Sequence, residues 1–273
     1  MKKIALTFLL LMAPGLSLAA GSSYPLDHME PDLSDKASLQ RGLQTYTNYC
    51  MGCHSLGYQR YKRTADDLGI PEELMLEHIV FNPEAQIGSL MTNTMSVDYA
   101  KKAFGAAPPD LTLHSNLKGG PDWVYTYMRT FYLDESRPLG ANNLLFENVG
   151  MPNVLEGLQG VQIRSECMQV PKLASNGGQM RDANDHVITT EVCGEDIVNG
   201  GHYPLELVEG TGSLTADEFD QVVYDLANFM YYVAEPSRAD RERIGVYVLL
   251  FLAFFYIFAW LLGREYHKEF HES

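Results

Sequence analysis

Residues 48–63 read NYCMGCHSLGYQRYKR, and they hold two of the four cysteines in a chain of 273 residues. Cys50, Cys53 and His54 fall at positions i, i+3 and i+4, which share one face of a helix. Four readings compete for such a cluster. A structural zinc site needs four ligands, and the sequence has no second C-x-x-C to complete one. A redox dithiol of the thioredoxin kind sits in a strand–helix unit, and none is evident around residue 50. A plain disulfide between the two cysteines would leave the histidine unexplained. The fourth reading is covalent attachment of a c-type haem, where each thiol takes one vinyl group and the adjacent histidine gives the iron an axial nitrogen.

The two ends of the chain say where that cluster works. Lys2 and Lys3, an apolar run over residues 4–12, the break at Pro14 and Gly15, and the small residues Ser17 and Ala19 together read as a secretory signal peptide. Cleavage is expected after Ala19, and the apolar run is too short to span a bilayer. Residues 244–262, IGVYVLLFLAFFYIFAWLL, are 19 in succession without a charge. As a helix they would reach about 28 Å, against a hydrocarbon core of about 30 Å. Trp260 stands near one end, where an interfacial aromatic belongs. Arg238, Arg241 and Arg243 precede the span while Arg264 and Lys268 follow it, so basic residues do not favour a cytoplasmic C-terminus. The signal peptide decides instead. The expected plan is a signal peptide at 1–19, an exported haem domain at 20–240, a transmembrane helix at 244–262 and a cytoplasmic tail at 263–273. Disulfides persist in such a compartment.

Formal net charge is −15, and loss of Lys2 and Lys3 takes it to −17. So acidic a surface argues against nucleic acid and for basic protein partners. Ser34 or Asp35 can cap a helix whose Leu39, Leu43, Tyr46 and Cys50 share a face and deliver the cysteines. Further helices are expected over 71–80 and 121–131, each with proline in its first turn. Thr215 and Glu218 form a capping box ahead of an apolar stripe of Phe219, Val222, Val223, Leu226, Met230 and Val233, which runs to Pro236. Strand signals are sparse. The fold class is mainly α: a c-type cytochrome domain with long loops, plus one C-terminal transmembrane helix.

A sixth ligand to the iron is sought among 12 methionines. Met151, in ENVGMPNVL, stands between Gly150 and Pro152 in a segment without helical or strand pattern, so its thioether sits on a stiff loop. Met91 and Met95 are its rivals. Met75, Met128 and Met230 lie in helical stripes and read as core. Histidine–methionine ligation closes the iron to small molecules and suits electron transfer rather than peroxidase chemistry.

Taken together, C-x-x-C-H with YQRY after it, GAAPPDLTL at 105–113, VGMPNVL around Met151 and YVAEPSRADRERIGVYVLL leading into the final span resemble the cytochrome c1 family over nearly the whole mature chain. The resemblance implies one covalently bound haem c, with Cys50 and Cys53 as attachment points and His54 and Met151 on the iron. It implies that Pro109, in the loop with Pro108, and Tyr58, in YQRY, pack beside the haem. It places the protein in the inner membrane of a bacterium with the haem domain in the periplasm. There it would be an electron carrier, not an enzyme on its own, within a quinol–cytochrome c reductase complex. Cytochrome b and the Rieske iron–sulfur subunit would be its partners, and a cytochrome c its acceptor. The chain departs from the family at one point: an arginine that supports a haem propionate is matched here by Asn116, and Lys118 is the nearby point charge that could replace it.

Cys167 and Cys193 lie in a polar, glycine-rich insertion at about 160–213. Two leftover cysteines in an oxidising compartment are expected to pair, and some bacterial members of the family have a disulfide in this region. By the same resemblance, Asp66, Asp67, Glu72, Glu73 and Glu77 become candidates for docking a basic acceptor. His78, His114 and His202 read as surface or satisfied polar groups. Two other functions stay in view: a tethered cytochrome serving a different oxidase or dehydrogenase, and a haem peroxidase or ligand sensor with an open sixth position.

Overall fold

A computed structural model of the chain describes residues 24–117, 119–174, 178–182, 186–199 and 202–271. The expected signal peptide at 1–19 and Lys118 lie outside the described residues.

The first helix, α1 (Lys36–Thr45), starts where Asp35 accepts a hydrogen bond from Ser38 N at 3.0 Å. Its apolar face, Leu39 and Leu43, is buried. The helix does not stop at Thr45. It widens into a π turn, Tyr46–Cys50, closed by Met51 N donating to Tyr46 O at 2.9 Å. Single π turns of this kind cluster at functional sites, and this one ends on a cysteine.

A short strand β1 (Leu56–Arg60) and helices α2 (Tyr61–Leu68) and α3 (Glu72–His78) follow. Glu72 and Glu73 occupy the first turn of α3, where negative charge meets the positive end of the helix dipole. Strand β2 (Leu90–Met91) pairs antiparallel with β1 across a register shift. Next come α4 (Val97–Phe104), capped by Ser96, a 3-10 turn (His114–Asn116), and α5 (Pro121–Arg129) with proline at its start. Strands β3 (Phe131–Leu133) and β4 (Ala141–Asn143) pair antiparallel, and α6 (Glu156–Gln159) closes this half.

The segment expected as an insertion holds two nested antiparallel pairs and one short helix. Strand β5 (Gln162–Arg164) pairs with β8 (Leu205–Leu207), and between them β6 (Cys167–Pro171) pairs with β7 (Thr189–Cys193), with α7 (Glu195–Asn199) following. Cys167 stands opposite Cys193 in the register, and the structure joins them in a disulfide. The eight strands among the described residues are two to five residues long. Runs so short leave no sustained alternation in the sequence, which is why few were expected.

The organising element is α8 (Ala216–Ala234), against which α1 and α5 pack. Both halves of its capping box form: Thr215 N and Oγ1 reach Glu218, and Glu218 N returns to Thr215 Oγ1. Phe219, Val223, Leu226, Met230 and Val233 are buried as the stripe requires, while Val222 is only half-buried. Gly42 lets α1 approach α8 closely, and Arg41 clamps the crossing by donating from Nε and Nη2 to the buried Asp225 carboxylate at 2.6 and 2.9 Å.

After Pro236 the chain turns into α9 (Arg238–His271). Among the described residues it is the one helix long and apolar enough to cross a membrane, and its apolar side chains are exposed. That fits a single transmembrane anchor. The arginines ahead of the span carry their own counter-charges: Arg238 and Arg241 pair with Glu235 at 3.4 and 2.5 Å, and Arg243 with Asp240 at 2.9 Å.

Candidate functional site

The π turn, the Pro-Pro loop, α5, the Met151 loop and one face of α8 enclose a cavity of about 370 Å³. Cys50, Cys53, His54, Pro109 and Met151 all line it. The rest of its wall is chiefly aromatic and aliphatic, including Phe104, Trp123, Val124, Leu226 and Met230. A cavity of this size, apolar with a few convergent polar atoms, is the form ligand sites take.

Cys50 O accepts from both Cys53 N (3.0 Å) and His54 N (2.9 Å), so the motif continues as one helical turn. Both cysteines are free thiols. Burial pushes the Cys50 thiol up to about 12.

His54 Nδ1 lies 2.8 Å from Pro109 O. A carbonyl only accepts, so Nδ1 carries the proton and Nε2 keeps its lone pair for a metal. Burial also pulls the imidazole below its ordinary value, keeping the ring neutral. Tyr46 donates from its hydroxyl to His54 O at 2.7 Å, holding the residue from the other side.

The loop that offers Pro109 O is itself tied down. Asp110 accepts from Gly57 N at 2.6 Å and from Thr112 N and Oγ1 at 2.9 and 2.6 Å, while Leu111 N donates to Ser55 O at 3.0 Å. Asp110 thus stitches the Pro-Pro loop to the segment just after His54. Nothing in the local sequence gave it that role.

Met151 is partly buried, and Tyr127 directs its hydroxyl at the Met151 sulfur at 3.6 Å. Tyr127 belongs to an aromatic series that the sequence reading missed. Its ring stacks on Trp123 (centroids 4.5 Å apart, planes 14° apart), Trp123 meets His114 edge-on at 5.0 Å, and Phe131 meets Tyr127 edge-on at 5.0 Å. The i, i+4 spacing of Trp123 and Tyr127 on α5 was the available signal. His114, expected as an ordinary loop residue, stands on the cavity wall.

Other sequence candidates fall elsewhere. Tyr58 does not line the cavity; it is 75% exposed. The irregular pairing of β1 with β2 buries Leu56 and Gln59 and turns Tyr58 outward. Met91 is fully buried in the core beside Thr64, and neither Met91 nor Met95 reaches the cavity wall. Met128 and Met230 are buried core residues that also border the cavity. Asn116 faces away: its Nδ2 donates to Ala234 O at 3.0 Å, and its Oδ1 accepts from Arg238 Nη2 at 2.8 Å. The position matched to the family's propionate-holding arginine serves here to join the domain to the base of α9. The acidic docking candidates are partly neutralised, since Lys62 pairs with Asp66 and Glu72, and Arg63 with Asp67.

Two thiols, one imidazole with a free Nε2 and a thioether, gathered in an apolar cavity, fit a covalently held haem. The profile of the Cytochrome C1 family matches residues 29–199. A cytochrome c1 from Allochromatium vinosum is 45% identical, with 99% of this chain and all of that protein covered. A protein of Nitrosomonas europaea named ammonia monooxygenase gamma subunit is 32% identical over 96% of each chain. The mitochondrial cytochrome c1 haem protein of Saccharomyces cerevisiae is 25% identical over 86% of this chain and 68% of its own.

Proposed function

This chain belongs to the cytochrome c1 family, whose members bind haem c, and from that premise we propose that it is the monohaem carrier of a quinol–cytochrome c reductase. It would take single electrons from the Rieske iron–sulfur subunit and pass them to a cytochrome c. The observation that carries this reading is the gathering of Cys50, Cys53, His54 and Met151 in one apolar cavity, with His54 Nδ1 fixed on Pro109 O.

Bound haem supplies a one-electron Fe(III)/Fe(II) couple. Cys50 and Cys53 would hold it through two thioether bonds. His54 Nε2 and Met151 Sδ would be the protein's two ligands to its iron. The Pro109 carbonyl keeps His54 in the ligating tautomer. Aromatic and aliphatic walls would keep water away from the group and limit reorganisation around it. Asp110 and Tyr46 hold the turn and the loop in register. Helix α9 keeps the domain at the membrane, where cytochrome b would be the neighbour. The haem domain would face the periplasm after cleavage of residues 1–19, and the Cys167–Cys193 disulfide suits that compartment.

The relative named as an ammonia monooxygenase subunit favours a second reading, a tethered carrier for a different oxidoreductase. Purification of the tagged chain from membranes in mild detergent separates the two. Co-purifying b-type haem, one c-type haem per chain and quinol-driven reduction of cytochrome c are expected. A c-type spectrum alone, under conditions that keep other membrane complexes whole, would overturn the reductase assignment in favour of the second reading.

A further inference from the structure

We infer that Tyr127 is a positioning residue for the Met151 sulfur, its phenol occupying one lone pair of the thioether and so setting how strongly the other is donated to iron. The inference rests on Met151 being the axial ligand.

The phenol lies 3.6 Å from Sδ, within reach of a hydrogen bond to sulfur. Thioether sulfur is a weak acceptor with two lone pairs, so one can face a metal while the other takes the O–H. Tyr127 is 9% exposed, and a phenol, with an ordinary pKa of about 10, is a donor at working pH. Its ring has little freedom. Trp123 stacks on one face, Phe131 meets it edge-on, and Asn143 Nδ2 donates to Tyr127 O at 2.8 Å. A side chain that serves only to fill the cavity wall would do so as well without the hydroxyl.

The direction of the effect follows from charge. A hydrogen bond draws electron density from sulfur. Fe(III), carrying the extra positive charge, depends on that density more than Fe(II) does. The phenol therefore disfavours the oxidised form and raises the potential, a second layer of hydrogen bonding tuning the first.

The test uses the full-length, haem-loaded protein in mild detergent, with two readouts: equilibrium redox titration and the far-red thioether-to-iron band of the oxidised spectrum. Tyr127→Phe should keep its haem and the band, while the ratio of reduced to oxidised haem at fixed ambient potential falls about fivefold, the scale of one net hydrogen bond. Placing 3-fluorotyrosine at 127, a stronger donor with the same shape, should move the ratio the other way and covers the case in which the phenylalanine variant does not assemble. Tyr125→Phe removes a phenol from the same helix that bonds Asp220 at 2.7 Å and does not line the cavity, and it should titrate close to wild type. Met151→Leu should lose the band. Persistence of the band in Met151→Leu would remove the axial assignment and this inference with it. With that assignment intact, an unchanged or raised ratio in Tyr127→Phe, loss of its band, or an equal shift in Tyr125→Phe would overturn the role given to the phenol.

Discussion

Replacing Gly42 by alanine should destabilise the protein although alanine is the better helix former. An ideal Cβ at Gly42 would stand 2.1 Å from Asp225 O, 2.6 Å from Phe229 Cβ and 2.8 Å from Asp225 C. The nearest obstacle is backbone of α8, which cannot rotate away. Ordinary contact begins near 3.5 Å, so α1 and α8 must part by on the order of 1 Å. A gap of that size forfeits about a quarter to a half of each contact energy across the interface. The layer affected includes Leu39, Leu43, Val223, Leu226 and Phe229, all buried. Separation also strains the Arg41 clamp on Asp225. Alanine returns about 1 kcal/mol of helix propensity. Overpacking costs about 1–3 kcal/mol, and this clash is at the upper end, leaving a net loss of about 2 kcal/mol. For a domain of this size that is a fall in Tm of roughly 4–8 °C. Thermal unfolding of the full chain in detergent, followed by circular dichroism, measures it. Gly157→Ala is the control, because a Cβ there meets nothing within 4 Å. A Gly42→Ala protein that melts at or above wild type would refute the close-approach reasoning.

Asp110→Asn keeps a single acceptor oxygen where the carboxylate serves Gly57 N, Thr112 N and Thr112 Oγ1, so the Pro-Pro loop should loosen by about 1 kcal/mol. The sign to look for is a lower fraction of chain carrying covalent haem, measured by haem stain against total protein. Cys167→Ser opens a loop of 26 residues, worth about 3.5 kcal/mol in the chain-entropy account. Because that loop lies in the 160–213 segment, limited proteolysis should cut there first while the haem spectrum is unchanged. Glu218 is held below its ordinary value of 4.5 by hydrogen bonds from the Thr215 backbone and hydroxyl. A depressed carboxyl gives stability that is present above its ordinary value and lost as pH falls through the folded one, so Glu218→Gln should flatten the acid limb of a Tm-against-pH curve and leave neutral pH little changed.

How legible the protein was depends on how far apart the cooperating atoms lie in sequence. The Asp35 cap, the Thr215–Glu218 capping box and the proline start of α5 are each settled within four residues, and all three formed as expected. The terminal span was plain because a membrane imposes its length and composition on a continuous segment. Tyr58 shows the limit on the other side. Its direction depends on an irregular pairing with residues 90–91, whereas the family resemblance implied a place beside the haem.

By itself, then, the sequence determined the cluster of two thiols and an imidazole, the helices that frame it and the anchor at the end, because each depends on neighbours in the chain. Only the tertiary structure decided which groups complete the site. Pro109 O meets His54 across 55 positions and Tyr127 meets Met151 across 24, while Asn116 is drawn 118 residues away to Ala234 and then to Arg238. Hydrogen bonds act over about 3 Å of space and carry no information about separation along the chain. Their partners are therefore fixed only when the packing of α1, α5 and α8 brings distant backbone and side chains within that distance.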